Sequence, residues 1–324
     1  MARCQTDRSG DDGLPARHAP MACGLRGRGS ARRGGERLGR GGAALLIRLL
    51  QEGLTVETMR KFFLPAETPR VLLITGGSSG IGRATALLFA ALGDCVTVTA
   101  RRAELLTALA DEAETRGLPG TILPVPADVT DPQAMQRAVA LTLAQFNRLD
   151  VLVANAGVGQ RGALVEAPWA DIETVLRTNI DGVIHSVRAV VPAMRASGGG
   201  HIVLVSSVLG PVPGPYVAAY SASKAAVDAL GRSLRGELRA DRIHVTVLWV
   251  GQAHTEFAER RLGQPGRVAS KWPTMTPEQV AGGIARALER KPRTMTLRWQ
   301  DSLLVWAGRR FPALTDRLLA RIYR

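Results

Sequence analysis

The sequence lacks several features that would assign it to a common class of protein. Its three cysteines, Cys4, Cys23 and Cys95, have no paired spacing, which excludes a disulfide-rich scaffold or a cysteine-rich metal site and fits a reducing compartment. It has no run of about 18 apolar residues, so no membrane-spanning helix is predicted. The apolar stretch 43–50 is short, contains Arg48 and does not follow a compact signal sequence. These absences predict a cytoplasmic protein without a metal centre.

Positive charge is abundant, but it is concentrated at the two ends of the chain. The formal net charge is +14. Residues 1–58 contribute +4 and residues 286–324 contribute +7, whereas the long segment 59–285 contributes only +3. A DNA-binding domain is expected to carry its basic face within its folded core. Zinc-finger spacing, heptads with a basic region and basic strands with interleaved aromatics are all missing. We therefore predict no nucleic-acid partner.

The chain divides into three parts. We predict that residues 1–58 form a disordered Gly/Arg-rich extension, because residues 1–42 lack hydrophobic periodicity. A polyanion-binding arm is the alternative for this segment. A further hypothesis starts translation at Met59, and a peptide from upstream of Met59 in mass spectra of the native protein would reject it. Residues 59–298 are expected to form a cofactor-binding and catalytic domain, and residues 299–324 basic amphipathic helices.

From residue 70 onward, short apolar runs alternate with longer segments of helical periodicity. The predicted strands are 71–75, 95–99, 121–125, 151–154, 201–205, 243–249 and a short edge strand at 294–297. The predicted helices are 81–92, 102–116, 132–146, 170–195, 219–239, one that starts at Thr276, and 302–323 with a break at Pro312. Strands separated by helices form parallel βαβ units with right-handed crossovers. The sequence therefore predicts an α/β fold, a Rossmann-type doubly wound parallel sheet of about seven strands with helices on both faces.

The first predicted strand is followed by a turn that suits a dinucleotide phosphate. Its candidate cofactor-binding residues are Gly76, Ser78, Ser79, Gly80, Ile81 and Gly82. The glycines permit a tight turn and a close backbone approach to a pyrophosphate, and the helix N-terminus that follows offers free N–H groups. The turn lies between a predicted strand and a predicted helix, which is the context that separates a phosphate site from an ordinary glycine-rich loop.

The second predicted strand leads into Arg101 and Arg102, where a dinucleotide-binding fold meets the adenosine ribose. An acidic residue there would bind the 2′-hydroxyl of NAD(H), whereas arginine accommodates the 2′-phosphate of NADP(H). Because no acid is present, we expect NADP(H) rather than NAD(H). The alternative is that both arginines are solvated charges at the start of a helix.

A tyrosine and a lysine are candidates for acid–base chemistry. Tyr220 and Lys224 are four residues apart on a predicted helix and therefore share a face. A free tyrosine has a pKa of about 10, and a neighbouring ammonium group favours the phenolate and lowers that pKa. Ser206 and Ser207 follow the fifth predicted strand, at the edge where open α/β sheets bind ligands. A hydroxyl there could hold a carbonyl oxygen, although both serines could equally cap a helix or a turn.

Taken in order, these motifs resemble the short-chain dehydrogenase/reductase family across residues 69–290. The motifs that carry the resemblance are 75–82, Asp128 with Val129, the run Asn155, Ala156 and Gly157, and then Asn179, Ser207, Tyr220 and Lys224. The resemblance implies an oxidoreductase that moves a hydride between NADP(H) and a carbonyl or alcohol, with the last four residues as the catalytic set. It also implies a homodimer or homotetramer, often paired through the two long helices.

The resemblance further implies a role for each catalytic residue. Tyr220 would protonate the developing alkoxide, and Lys224 would lower the pKa of this tyrosine and bind the nicotinamide ribose. Ser207, chosen over Ser206 for its spacing to Tyr220, would orient and polarise the substrate carbonyl. Asn179 would hold a water in a proton relay, unless it simply bonds the local helix backbone.

The remaining cofactor contacts implied by the resemblance lie at strand ends. The residues are Asp128, Val129, Asn155, Ala156, Gly157 and Thr255, together with Tyr220 and Lys224. Asp128 would contact adenine, Asn155 would mainly brace the central strands, and Thr255 would hold the nicotinamide carboxamide. The sequence departs from the family after the sixth predicted strand, where Val250 stands in place of a common proline before Gly251. This departure bears on the stiffness of the loop and on cofactor orientation.

Substrate specificity is expected to lie between Gln252 and Thr276. Apolar and basic side chains alternate there, and the apolar ones are Phe257, Leu262, Val268 and Trp272. They indicate an apolar pocket or lid, which favours an apolar or lipid-like substrate.

The C-terminal segment 299–324 combines apolar side chains with five arginines. A basic amphipathic helix can lie in a membrane interface. It can also close a substrate site, pack on a second subunit or belong to the core, and the sequence leaves these alternatives open. Peripheral contact with a membrane is therefore one expectation.

The leading function is an NADP(H)-dependent carbonyl reductase or alcohol dehydrogenase that acts on a small molecule. One alternative is a cofactor-binding regulatory or scaffold protein without turnover, against which the complete catalytic set argues. A second is a polyanion- or membrane-binding protein, which the near-neutral body reduces to an accessory role. A third, an epimerase or dehydratase on the same fold, is disfavoured by the length of the chain.

Overall fold

The computed structural model describes residues 69–263 and 273–323. The predictions for the extension 1–58, and those for Val268 and Trp272 in the specificity segment, lie outside these described residues. They therefore stay predictions.

The strands, numbered in chain order, follow the predicted pattern with two short additions. They are Val71–Thr75 (β1), Cys95–Ala100 (β2), Thr121–Pro126 (β3), Val151–Ala154 (β4), Gln160–Arg161 (β5), Gly200–Ser207 (β6), Ile243–Val250 (β7), Leu262–Gly263 (β8) and Thr294–Thr296 (β9). Seven of them form one parallel sheet in the order β3-β2-β1-β4-β6-β7-β9, and β5 pairs with β8 in a separate two-stranded sheet. The chain reverses its direction of winding between β1 and β4, which is where such sheets bind dinucleotides.

The helices connect consecutive strands of the sheet and continue beyond its last strand. They are Gly80–Ala91 (α1), Ala103–Thr115 (α2), Pro132–Phe146 (α3), Trp169–Leu176 (α4), Gly182–Ala196 (α5), Ala218–Glu237 (α6), Pro277–Arg290 (α7), Trp299–Arg310 (α8) and Pro312–Tyr323 (α9).

Apolar side chains form two cores, one on each face of the sheet. Val71 and Leu73 of β1 belong to the first core, whereas Leu72 and Ile74 belong to the second. Helices α3, α5 and α6 cover the first core, and α1, α2 and α7 cover the second. Coverage on both faces explains why these strands are almost continuously apolar. The predicted Rossmann-type doubly wound sheet is confirmed.

Two helices begin at residues whose side chains cap them. Asp131 caps α3 by accepting a hydrogen bond from the backbone N–H of Gln133 at 2.8 Å, and Pro132 occupies the first helical position. At the start of α7, the Thr276 hydroxyl accepts from Gln279 N–H at 3.2 Å, and the Gln279 side chain accepts from Thr276 N–H at 3.0 Å. This reciprocal pair is a capping box.

The single helix predicted over 170–195 is wrong in its middle. The segment consists of α4, a π-helical turn Arg177–Asp181, and α5. A π-helical turn holds more residues than a regular one and is often found at functional sites. Asn179 lies within it, and its side chain bonds other parts of the chain rather than its own helix.

The C-terminal helices α8 and α9 pack on the first core through Val305 and Leu319. They are separated at Phe311, directly before Pro312, as the proline predicts. Within residues 69–263 and 273–323, no helix is long and apolar enough to cross a membrane.

Candidate active site

The glycine-rich turn between β1 and α1 is shaped by close backbone contacts. Gly76 has a φ of +69°, and a Cβ at this position would lie 2.8 Å from the Cα of Ala156. A Cβ on Gly82 would lie 2.3 Å from the Gly76 carbonyl oxygen. Side chains are therefore excluded from both positions. The result is a bare turn at the N-terminus of α1, where helix N–H groups attract anions.

An arginine side chain lies across this turn. Arg102 donates hydrogen bonds from Nη2 to Ser78 Oγ at 2.9 Å and to Ser79 Oγ at 3.3 Å. Arg101, its neighbour at the end of β2, is exposed. The structure therefore brings a guanidinium group to the turn, where it can meet the phosphates of a dinucleotide.

Asn155 ties the turn to the central strand β4. Its Nδ2 donates to the carbonyl oxygens of Thr75 at 3.0 Å and Gly76 at 3.3 Å. The Thr75 hydroxyl in return accepts from the backbone N–H groups of Asn155 at 3.1 Å and Ala156 at 3.0 Å. Asn155 thus lies where a residue that braces the central strands is expected.

Asp128 and Val129 follow β3 at the same edge of the sheet. One Asp128 oxygen, Oδ1, accepts from the backbone N–H of Thr130 at 2.9 Å and from its hydroxyl at 2.8 Å. Val129 is buried, and a Cβ on Gly182 would lie 2.6 Å from its Cγ2. Asp128 therefore fixes the turn after β3 at the carboxyl edge of the sheet.

Asn179 is completely buried and braces the loop that follows β4. Its Oδ1 accepts from Val158 N–H at 2.8 Å, while its Nδ2 donates to the Val158 carbonyl at 3.0 Å and to Ser223 Oγ at 2.9 Å. A Cβ on Gly157 would lie 3.1 Å from Asn179 Oδ1 and 3.6 Å from Lys224 Nζ. Asn179, the loop and the lysine therefore meet at one place.

Lys224 and Tyr220 are brought together by α6, as their spacing predicts. Lys224 is buried, and its Nζ donates to the Val205 carbonyl at 2.9 Å and lies 5.8 Å from the centre of the Tyr220 ring. Burial lowers the pKa of Lys224 to about 8, and the nearby carboxylate of Asp228 opposes this shift. The side chain therefore remains mostly protonated at pH 7.

The two serines at the end of β6 face different surroundings. Ser206 Oγ donates to Asp228 Oδ1 at 2.6 Å, inside the protein. Ser207 Oγ accepts from Leu209 N–H at 3.2 Å, which leaves its own hydrogen available for a substrate oxygen. This difference favours Ser207 over Ser206 as the residue that contacts a carbonyl.

Sequence reasoning missed Asp228, which links α6 to β6 and β7. It accepts from Ser206 Oγ through Oδ1 and from Trp249 Nε1 through Oδ2, the latter at 2.9 Å. Burial raises the pKa of Asp228, and these hydrogen bonds together with Lys224 work in the opposite direction. Its position four residues after Lys224 on one helix face is the sequence signal that could have found it.

Thr255 and Phe257 bring the loop after β7 to the site. A Cβ on Gly80 would lie 3.2 Å from Thr255 Cβ, so this threonine adjoins the glycine-rich turn. The Phe257 ring lies 5.8 Å from the Tyr220 ring, centre to centre. The loop therefore contacts both the phosphate turn and the tyrosine.

An ion pair between the partly buried Arg298 and the buried Asp301, also missed by sequence reasoning, contacts both ends of the specificity segment. Arg298 donates to Asp301 from Nε at 3.0 Å and from Nη2 at 2.9 Å, and its Nη1 bonds the Pro273 carbonyl. A Cβ on Gly251 would lie 2.6 Å from both carboxylate oxygens of Asp301. The absence of a side chain at Gly251 therefore lets the carboxylate of Asp301 approach the backbone of the loop after β7. Val250 stands before this glycine in place of the proline that is common in the family.

These residues fit a dinucleotide cofactor and do not provide a metal site. The glycine cradle, the helix N-terminus and Arg102 suit a pyrophosphate and a charged ribose, and Lys224 with Tyr220 follow at the carboxyl edge of the sheet. Among the residues that the structure describes, no group of three or more His, Cys, Asp or Glu side chains could hold a metal ion.

Comparisons with known proteins agree with this geometry. The chain matches the family model described as short chain dehydrogenase over residues 70–265. It is 35% identical over 263 residues to dehydrogenase/reductase SDR family member 7B from Bos taurus, which covers 77% of this chain and 80% of that protein.

Solved structures give the same result. A short chain dehydrogenase/reductase from Burkholderia phymatum, solved in complex with NAD, matches with a TM-score of 0.70 and 26% identity over 76% of this chain and 95% of that one. An alcohol dehydrogenase from the archaeon Thermococcus sibiricus, solved with 5-hydroxy-NADP, matches with a TM-score of 0.63 and 26% identity over 71% and 97%. The chain therefore belongs to the short-chain dehydrogenase family and is an NAD(P)-dependent oxidoreductase.

Proposed function

We propose that the protein is an NADP(H)-dependent reductase of ketones or aldehydes, or in reverse a dehydrogenase of secondary alcohols, with an apolar or lipid-like substrate. The observation that carries this proposal is the buried Lys224 Nζ, 5.8 Å from the Tyr220 ring, at the sheet edge that also carries the glycine-rich turn. Such an arrangement supports acid–base chemistry beside a bound dinucleotide.

The side chains of this chain would handle the proton and the substrate oxygen. A bound nicotinamide supplies or accepts the hydride. During reduction, Ser207 would donate a hydrogen bond to the substrate carbonyl, and Tyr220 would give its phenolic proton to the developing alkoxide. The ammonium group of Lys224 would stabilise the phenolate that remains. Asn179 would hold the loop beside Lys224 and keep this geometry in place.

The preference for NADP(H) rests on Arg102. Its bonds to Ser78 and Ser79 hold a guanidinium group beside the turn, and an arginine there suits a 2′-phosphate. We expect Arg102→Ala to raise the dissociation constant for NADPH about 10- to 100-fold, the worth of a hydrogen bond to a charged group. The dissociation constant for NADH should rise less, because NADH lacks the 2′-phosphate. Equal affinity of the wild type for NADH and NADPH would contradict the preference.

The apolar substrate is supported by the side chains around the site. Phe257 packs beside Tyr220. Nearby, Gly162 N–H donates to the Tyr216 carbonyl at 2.9 Å, which joins the loop after β5 to the residues before α6. Large apolar side chains of these two segments are exposed, and they are Leu164, Val165, Trp169 and Tyr216. Exposed apolar surface beside a site is typical of a binding region for apolar ligands.

The decisive test follows NADPH oxidation at its absorbance band with ketones, aldehydes, steroids and 3-ketoacyl compounds. Tyr220→Phe should lower turnover about 10²- to 10⁴-fold through loss of the general acid, while NADPH binding is retained. Ser233→Ala, which removes an exposed hydroxyl from the same helix, is the control. Full turnover by Tyr220→Phe would refute the mechanism. NADPH binding without turnover on any compound would favour the alternative, a cofactor-binding regulatory or scaffold protein.

We further propose a cytoplasmic homodimer or homotetramer that assembles through the long helices α5 and α6. This follows from the family to which the chain belongs. Sedimentation of the full chain at several concentrations tests it, and a monomer at all concentrations would contradict it.

A further inference from the structure

The outward surface of α8 and α9 is apolar over most of its length. Large apolar side chains are exposed along it, and they are Trp299, Leu303, Trp306, Phe311, Leu314, Leu318 and Ile322. The opposite sides of the two helices contact the rest of the fold through Asp301, Val305, Thr315 and Leu319, all buried. Core packing is therefore satisfied by one side of each helix, and the apolar residues on the other side are left to solvent.

Helical spacing gathers these exposed residues into one surface. Trp299, Leu303 and Trp306 are separated by four and three residues and share one side of α8. On α9, Leu314, Leu318 and Ile322 are four residues apart and likewise share one side of the helix. The rings of Trp306 and Phe311 meet edge to face, 5.9 Å between centres, and connect the two rows. We call the seven exposed apolar residues and the arginines among them the outer face.

The charge of the outer face is strongly positive. Among the described residues, its exposed charged side chains are Arg310, Arg317, Arg321 and one acid, Asp316. Arg309 is exposed as well, but it turns towards the sheet, with its guanidinium 4.9 Å from the centre of the Trp249 ring. The Arg310 guanidinium lies 5.2 Å from the centre of the Phe311 ring, so cation and apolar surface are interleaved. Arg309 and Arg310 also border an open groove of about 480 Å³ between α8 and the β7–β9 edge of the sheet. This groove leaves room for an anionic group next to the apolar surface.

We propose that the outer face lies in the interface of a lipid bilayer that contains anionic phospholipids. Tryptophan prefers the level of the head groups, and leucine, isoleucine and phenylalanine enter the acyl boundary beneath it. The exposed arginines then meet the negative surface of the bilayer. This surface binds without spanning, which suits helices of twelve residues each.

A second copy of the chain fits this surface less well. A two-fold interface brings the same patch against itself. Three arginines and one aspartate would then face three arginines and one aspartate, and like charges in contact oppose association. An anionic bilayer compensates the positive charge instead.

The outer face is also linked to the proposed substrate site. A Cβ on Gly308 of α8 would lie 2.6 Å from Val212, in the segment between Ser207 and Tyr220. A bilayer that holds α8 therefore lies near the catalytic end of the sheet. Membrane binding does not depend on turnover, so its failure and the failure of the enzymatic proposal are separate results.

Vesicle flotation of the full chain tests the proposal. The protein is mixed with vesicles of phosphatidylcholine alone, or of phosphatidylcholine with about a third phosphatidylserine, and the bound fraction is measured over a range of lipid concentrations. We expect binding to the anionic vesicles that falls at high salt. Replacing Arg310 and Arg317 by glutamine should weaken it about tenfold or more, since each basic residue near an anionic surface contributes a severalfold change in affinity.

Matched variants separate the outer face from general effects on the surface. Leu303→Ser should weaken binding severalfold, whereas Leu141→Ser on α3 should not, although the two leucines are 52% and 51% exposed. Arg239→Gln, at an exposed arginine after α6, is the control for charge. Thermal unfolding and NADPH binding must be unchanged in all variants that are compared.

Three results would overturn the proposal. The first is no binding to either kind of vesicle. The second is binding that the outer-face variants leave unchanged, which would place the contact elsewhere, for example in the basic segment 1–58. The third is a change of oligomeric state in Leu303→Ser without vesicle binding by the wild type, which would identify a second copy as the occupant.

Discussion

Replacement of Asn179 by alanine would remove three hydrogen bonds from the centre of the site. The buried amide bonds both the N–H and the carbonyl of Val158, and it donates to Ser223 Oγ. Ser223 would keep its own donation to the Tyr220 carbonyl, at 2.7 Å. The two backbone groups of Val158 would be left without their partner in a partly buried place.

The size of the effect follows from these contacts. Each buried polar group that loses its partner costs roughly 1–3 kcal/mol. Because the two Val158 groups are only partly buried, we expect Asn179→Ala to lower the free energy of unfolding by about 1–3 kcal/mol. Because the loop at Gly157 adjoins Lys224 Nζ, kcat/KM should fall as well, even in folded protein at low temperature.

Urea unfolding of the full chain, followed by circular dichroism, measures the first effect, and NADPH oxidation measures the second. Gln133→Ala removes an exposed amide at the start of α3 and is the control, with an expected change below about 0.5 kcal/mol. A loss of less than about 0.5 kcal/mol in Asn179→Ala would refute the bracing role. A loss of stability with unchanged kcat/KM would show that the amide supports the fold but not the geometry at Lys224.

Three further predictions concern other parts of the molecule. Burial, with help from nearby His244 and Lys291, lowers the pKa of His201 to about 4. The unfolded chain therefore binds this proton first, so the contribution of His201 is complete above about pH 6.5 and declines as the pH falls towards 4, by about 2 kcal/mol at pH 5. Thermal unfolding of His201→Gln at pH 7 and pH 5 should show a smaller difference than the wild type, and an equal difference would contradict this reasoning. Gly82→Ala would place a Cβ 2.3 Å from the Gly76 carbonyl and should abolish NADPH binding in a calorimetric titration; normal affinity would show that the turn can relax. Asp301→Asn should cost about 1–3 kcal/mol in urea unfolding by leaving the partly buried Arg298 without its counter-charge, and a change below about 0.5 kcal/mol would show that solvent compensates for the lost charge.

Much of the site could be predicted because its signals are local. The spacing of Tyr220 and Lys224 places both on one turn of a helix whatever else the helix contacts. The glycines of the turn occupy positions where a side chain would not fit. The structure gives the reason, because a Cβ on Gly76 or Gly82 would be too close to neighbouring backbone atoms. Capping residues at Asp131 likewise act within their own helix.

Other features depend on contacts between residues far apart in the chain. The π-helical turn interrupts a sequence of ordinary helical periodicity, and it is defined by what Asn179 reaches at Val158. The choice between Ser206 and Ser207 depends on Asp228, which lies on another element. The hydrophobic periodicity of a sequence carries no information about hydrogen bonds between residues that are far apart in the chain.

The sequence by itself determined the order of strands and helices, the phosphate turn and the paired tyrosine and lysine, because short-range sterics and hydrophobic spacing act along the chain. The tertiary structure decided that Asp228 of the catalytic helix bonds Ser206 of β6 and Trp249 of β7, and that Arg298 and Asp301 contact the ends of the specificity segment. It also decided which side of α8 and α9 faces outward. An amphipathic sequence indicates that the two sides of a helix differ in polarity. Only packing against the core determines which side remains exposed.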